Sequence, residues 1–391
     1  MAPKPPHRPK NPINREMNPM SDLCEFKESI PAANDITYLN TGSSSPSSVD
    51  VVESMQDFLE YHGYESPTRN SGMSPPVYDV FKKTRQDVAE FLNARAEEIA
   101  LTQSTGDGMS RVANAISWNG GDTVVRTDLE HPASVVPWAG NGINTRVIET
   151  TNGNVDPDDV KDAVTDAQLI CVSSISRNYG TRLPVAKITE IAHDAGAEVL
   201  VDAVQSVGQT PIDVTDWGAE YVAAASHKWL VGPWGAGFLY VSEDVIPELR
   251  PRHVSYRGVD RASPTLDPHP DARRFEVGTT SAAPYVGLQT ALERVSSVGV
   301  DTIETRIESL TTLLKDELPA SRLLSPRPFE SGLIAIDDDA PEQTVEQLAA
   351  HDVQVRSIAE PNAIRLSIHA FNTESDIRRF LSVYDDICRG R

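Results

Sequence analysis

The sequence predicts an α/β protein: a large, doubly wound, mostly parallel sheet domain followed by a smaller α+β domain. Three observations carry that prediction. The chain has 391 residues, more than a single hydrophobic core usually serves. From about residue 50 to 290, short runs that are apolar throughout alternate with amphipathic stretches, the pattern of parallel strands covered by helices on both faces. After that the character changes to a long polar helix and a mixture of strands and helices.

Taken in order, "EIALTQ" (98–103) reads as a strand and "DGMSRVANAISW" (107–118) as a helix. "TVVRT" (123–127), "TRVIET" (145–150) and "QLICVSSIS" (168–176) are strands. "VAKITEIAHDAG" (185–196) has apolar residues three and four apart and is a helix. The strands "AEVLVDAV" (197–204), "AEYVAAAS" (219–226) and "GAGFLYV" (235–241) follow. Right-handed crossovers between such strands place ligands at their carboxyl ends. Beyond 290, "DTIETRIESLTTLLKDEL" (301–318) is a helix, "GLIAI" (332–336) a strand and "PEQTVEQLAAHD" (341–352) a helix. "VQVRSI" (353–358) and "AIRLSIH" (363–369) are strands, and "ESDIRRFLSVYDDI" (374–387) closes the chain as a helix. The expected division is a large domain over 36–290 and a small one over 291–391, with 21–35 packing on the latter.

Residues 1–20 are proline-rich and basic without an apolar run, and read as a disordered tail, with Met17 or Met20 as alternative first residues. No run is long enough to cross a membrane and no secretory signal is visible, which points to the cytoplasm. Cys24, Cys171 and Cys388 show no paired spacing, so neither a disulfide framework nor a metal site is expected. Net charge is −22, a surface that repels nucleic acid and anionic membranes and suits solubility in high salt.

Four features fall at strand ends of the first domain. In "TQSTGDGMS" a strand delivers Ser104, Thr105, Gly106 and Gly108 into a helix start, where free amides, a hydroxyl and the helix dipole make a phosphate site or a simple capped turn. His131, in "LEHPASVVPW", can stack on a planar ring or merely cap a turn. Asp202 ends the wholly apolar strand of "VLVDAVQSVG" with Gln205 three residues on; a carboxylate there needs a cation or several donors. Lys228 in "AAASHKWLVGPWGAG" is one of only nine lysines, at the mouth of a buried strand after Ser226 and His227. Desolvation favours its neutral form, as a Schiff-base nucleophile requires; the alternative is a lysine snorkelling to water.

Together these are the parts for pyridoxal 5′-phosphate (PLP). Asp202 would hold the pyridinium N–H, Gln205 the phenolic oxygen and His131 the ring face. Thr105, adjacent amides, Ser226 and His227 would hold the phosphate. Lys228 would carry the cofactor covalently and move the Cα proton.

The stretches "YLNTGSSSPSS", "LEHPASVVPW", "VDAVQSVGQTPIDV", "SHKWLVGPWGAG", "RFEVGTTSAAPYVGL" and "RLSIHAFNTESDI" resemble the class V aminotransferase group of fold-type I PLP enzymes, over most of the chain. That group includes cysteine desulfurases, selenocysteine lyases, isopenicillin-epimerase-like enzymes and kynureninases. The resemblance implies a homodimer in which Gly278 and Thr279 reach the partner's phosphate, and an Arg365 that holds the substrate α-carboxylate. The sequence also departs from the desulfurase pattern. The segment "VRSIAEPNAIRLS" is short and lacks the sulfur-accepting cysteine, and Ala225 stands where a serine usually precedes the lysine by three. Arg177, followed by Asn178, occupies the loop that often brings asparagine to the ring oxygen. The expectation is an enzyme acting on an α-amino acid by Cα deprotonation, of the aminotransferase type. A cysteine desulfurase, selenocysteine or C–S lyase, or an epimerase, is the alternative. A non-catalytic binding relative fits poorly with an intact Asp202, His131 and Lys228, and a nucleotide-binding protein fits poorly without GxGxxG.

Overall fold

The computed structural model describes residues 19–65 and 74–390. Twelve strands are present among them: β1 (Thr37–Tyr38), β2 (Ile99–Thr102), β3 (Thr123–Thr127), β4 (Asn144–Ile148), β5 (Leu169–Ser173), β6 (Glu198–Asp202), β7 (Tyr221–Ala225), β8 (Gly237–Val241), β9 (Leu333–Asp337), β10 (Val353–Gln354), β11 (Arg356–Ile358) and β12 (Ala363–Ser367). β2 to β8 form one seven-stranded sheet in the order β2-β8-β7-β6-β5-β3-β4. The pairs among β3 to β7 are parallel, whereas β8 runs antiparallel to both its neighbours. The reversal has a simple cause. Only residues 226–236 separate β7 from β8, too few for a crossover helix, so the chain must turn straight back.

Apolar side chains pack on both faces of this sheet. One cluster gathers Val172, Val201, Val222, Phe238 and the indole of Trp229 with the helix Ala283–Val298; the other gathers Leu200, Tyr221, Leu239 and Trp138. Burial on two faces is what wholly apolar strands require, and it explains why the parallel strands were readable from the sequence.

The carboxy-terminal layer holds the antiparallel sheet β11-β12-β9, covered by the helices Val300–Glu317, Pro341–Ala349 and Glu374–Arg389 around Ile334, Leu366 and Phe380. The expected single strand 353–358 is divided at Val355: β10 pairs in parallel with β1, and β11 pairs with β12. The segment before residue 36 bridges the layers. Phe26 and Ile30 join the large cluster, while Lys27 lies 3.4 Å from Asp376 of the last helix. The expected tail lies outside the described residues up to residue 18, and a helix, Pro19–Glu28, begins there. No helix among the described residues is long and apolar enough to cross a membrane.

Candidate active site

Asp202 closes β6 and Ala225 closes the adjacent β7, so Lys228, three residues further, emerges beside the carboxylate. Asp202 is buried; its Oδ1 accepts from the Val204 amide (3.0 Å) and its Oδ2 from the Ser134 hydroxyl (3.3 Å). Burial pushes its carboxyl above the usual range, with the charge of Lys228 opposing. Burial likewise lowers the Lys228 amine to about 8, against the pull of Asp202 and helped by Arg365, Arg177 and Arg356. Desolvation outweighs the mutual attraction on both partners.

The loop that carries Lys228 is held by backbone contacts. The Val231 amide donates to Lys228 O and the Gly232 amide to Ser226 O, both at 3.0 Å. Val231 has φ 58°, a left-handed conformation that costs a β-branched residue, and such strain concentrates where a loop's shape is functional. The turn after Asp202 presses against this loop at Gly208, φ 98°, where a Cβ would sit 2.5 Å from Trp229 O.

The candidate anion site lies at the start of the helix Thr105–Ala113. Its N-cap, Ser104, accepts from the Asp107 amide (3.1 Å), and the first amides have no intrahelical partner. The Thr105 hydroxyl is buried and has no hydrogen-bond partner. Close packing joins this helix start to the rest: a Cβ on Gly106 would lie 3.5 Å from Ala133, and one on Gly237 3.0 Å from Ser104 Cα.

His131 Nδ1 accepts from the Ala133 amide (3.1 Å), which leaves the ring proton on Nε2. Burial, then Lys228 and the three arginines, lowers its pKa to about 4, so the ring is neutral near pH 7. His227 is lowered to about 4 by burial and Lys228, and its ring lies against Trp234 with centroids 4.4 Å apart. Gln205 is fixed at both ends, Nε2 donating to Gly42 O (3.0 Å) and Oε1 accepting from Trp229 Nε1 (2.8 Å). One of its N–H bonds is left for a ligand.

Two predicted residues stand apart from this cluster. Ser226 is fully buried and its hydroxyl faces the carbonyls of Pro233 and Ala236. A hydroxyl has one proton, and here it closes the lysine loop rather than facing a phosphate. Thr279 lies in a separate groove with Phe58, Leu59, His62 and Tyr256, whose hydroxyl is 2.9 Å from Thr279 Oγ1. Arg365 is brought in: Nη1 donates to Arg177 O (2.9 Å) and Nη2 to Ser43 Oγ (2.8 Å).

Sequence reasoning missed three contributors. Glu130, next to His131, is buried and accepts from Ser173 N and Oγ and from Thr127 Oγ1; burial pushes it up to about 7. Its place in "LEHPASVVPW" was the available signal. Ser134 comes from the same stretch. Arg356, whose Nη1 donates to Ser43 Oγ (3.2 Å), became visible only through its pairing opposite Arg365.

An unpartnered buried hydroxyl at a helix start, a neutral imidazole, a buried carboxylate and a lysine shifted towards its free amine fit PLP. The family model for aminotransferase class-V matches residues 37–380. The chain belongs to that family. It is accordingly a PLP-dependent enzyme of the class V group. A probable cysteine desulfurase of Methanothermobacter thermautotrophicus is 32% identical over 288 residues, covering 72% of each chain. The apo structure of a cysteine desulfurase from Thermococcus onnurineus superposes with a TM-score of 0.87 at 25% identity, covering 96% of this chain and all of that one. The cystine C–S lyase C-DES, solved with its product cysteine persulfide, gives 0.85 at 25% identity, over 91% of this chain and 99% of that one. A variant of that lyase carries glycine covalently linked to its PLP cofactor. The class V enzyme described here pairs a mostly parallel seven-stranded sheet with a smaller layer.

Proposed function

We propose that this enzyme cleaves the C–S bond of a cysteine-derived amino acid by β-elimination. One observation carries the choice: the hairpin β11–β12 spans only residues 356–367 and holds no thiol. Sulfur abstraction by the protein needs a mobile thiolate at the substrate. Cys171 lies inside β5 among buried side chains, where burial holds its thiol far above the usual value. Cys24 is on the first helix and Cys388 on the last, packed against the core of the small layer. Elimination needs no enzyme thiol, and both the desulfurase relatives and the neighbouring lyase act on carbon–sulfur bonds. These names favour C–S cleavage over the transamination that the sequence suggested first.

The bound cofactor supplies an electron sink that acidifies the Cα–H. Lys228 would hold it covalently and, as a free amine, take the Cα proton. Asp202 would keep a negative charge against the ring nitrogen, with Ser134 and the Val204 amide orienting it. His131, neutral, would lie on the ring face. Thr105 and the helix amides would hold the phosphate, with His227 beside them. Arg365 would orient the α-carboxylate. A second copy of the chain would supply Thr279 to this phosphate; the groove around Thr279 and the exposed Leu59 and Tyr256 support an interface there.

Replacing all three cysteines with serine or alanine tests the choice. Turnover of a cysteine thioether should persist in a folded variant. Loss of turnover, with persulfide formed from free cysteine on one of these residues in the parent enzyme, would restore the desulfurase reading.

A further inference from the structure

Three arginines meet at the mouth of the site without an acid partner. Arg356 and Arg365 stand directly opposite each other on β11 and β12, and both guanidiniums donate to the one hydroxyl of Ser43. Arg365 also donates to the main-chain carbonyl of Arg177, which fixes the third arginine beside them. Like charges facing each other across a strand pair are destabilising. None of the three has a carboxylate within ion-pair distance among the described residues, in a chain where Asp and Glu total 57 and Lys and Arg 35. The Nε atoms of Arg177 and Arg365 are buried and donate to nothing. Arg365 is only 3% exposed. Burial and mutual repulsion lower the Arg365 guanidinium to about 9 and lower Arg177 as well.

A fold keeps such a cluster when an anion completes it, and the α-carboxylate of one amino acid uses only one of the three forks. Arg177 and Arg356 both line a cavity of about 890 Å³ next to the cluster. The remaining wall of that cavity carries Asp339, Glu342 and Glu360. An acid group on a long side chain would meet these carboxylates, so only a short spacing between the two anions suits the site.

We propose that the substrate has two acid groups: an α-carboxylate held by Arg365, and a second carboxylate or sulfur oxyacid, a few bonds away, held by Arg177 and Arg356. This rests on the reading of the site as an amino-acid site and names the substrate class within it. For C–S cleavage, the corresponding substrates are cysteine derivatives whose sulfur bears a small acidic group.

The test needs no chemistry. Succinate and butyrate have the same carbon skeleton and differ in one carboxylate; neither has an amine to react. Their binding to the holoenzyme is measured by calorimetry at matched ionic strength. Succinate should bind at least about tenfold more tightly than butyrate. Arg177→Gln and Arg356→Gln should each remove most of that preference while butyrate binding changes less than about twofold. Equal affinities in the parent protein, or equal losses for both ligands in the variants, would overturn the proposal. Circular dichroism and the cofactor band establish that each variant is folded and loaded, and Arg177→Lys, which keeps the charge, should retain part of the preference. A failure of thioether cleavage would sink the lyase reading and leave this result standing, and the reverse also holds.

Discussion

The reactivity of Lys228 can be put to a quantitative test in the apoprotein, before any cofactor is added. Burial, only partly opposed by Asp202, sets its amine near 8 instead of the ordinary 10.5. At pH 7.5 about a quarter of such amines are uncharged, against about one in a thousand for an ordinary lysine, a gain of roughly two-hundredfold. Reductive methylation with formaldehyde reads that fraction directly, because only the free amine reacts. Apoprotein would be labelled briefly across pH 6 to 11 and the Lys228 peptide quantified by mass spectrometry, with a blocked free lysine as reference. The Lys228 rate should climb about tenfold per pH unit up to about 8 and then level off, while the reference keeps climbing to above 10. In Asp202→Asn the plateau should begin at lower pH, since the anion that supports the ammonium is gone. A Lys228 profile that follows the reference would refute the desolvation argument. So would a shift to higher pH in Asp202→Asn.

Asp202→Asn should also cost the holoenzyme orders of magnitude in turnover while its circular dichroism is retained, because an amide cannot hold a protonated ring nitrogen; loss of the fold would mark the carboxylate as structural. Gly208→Ala should lower the melting temperature, since it places a Cβ 2.5 Å from Trp229 O at a φ of 98°, a backbone state that costs side chains about 1–3 kcal/mol; an unchanged melt would show that the two loops do not meet as described. Glu130 is raised to about 7 by burial, so the stability it contributes is present below its unfolded value near 4.5 and is lost as pH rises to about 7. Glu130→Gln should therefore gain stability relative to the parent between those limits, and a pH-independent difference would contradict the buried state of Glu130. Mixing Lys228→Ala subunits with subunits disabled at Thr279 should restore part of the turnover if two copies share each site, and no restoration in confirmed hybrids would argue that each chain is complete alone.

Much of the fold was legible because β5, β6 and β7 are buried on both faces, and their central residues are apolar throughout. The same contrast exposed Asp202 and Lys228: a charged residue at the end of such a strand is conspicuous. The reversal at β8 was hidden, because a buried antiparallel strand reads like a parallel one, and the cue lay in the length of the 226–236 connection. The break at Val355 was hidden too, since its two halves pair with strands more than three hundred residues apart, β1 and β12. Its position beside His227 and Lys228 makes Ser226 look like a ligand contact in the sequence. Which way a hydroxyl faces depends on where the loop returns, and here Pro233 and Ala236 come back onto it. The arginine cluster illustrates the general limit. Arg177, Arg356 and Arg365 are distant in sequence, and only the β11–β12 register and the Ser43 loop bring them together.

The products that purified, PLP-loaded enzyme releases from a small acidic thioether of cysteine decide between elimination and its rivals. Elimination breaks the Cβ–S bond and loses the Cα proton, so each turnover should give one thiol, one pyruvate and one ammonium after hydrolysis. The three should appear in equal amounts, and in the same amounts with the cysteine-free variant. Alanine with the acidic thiol captured as a mixed disulfide on Cys24 or Cys388, or an oxoacid that still carries its sulfur, would contradict the assignment.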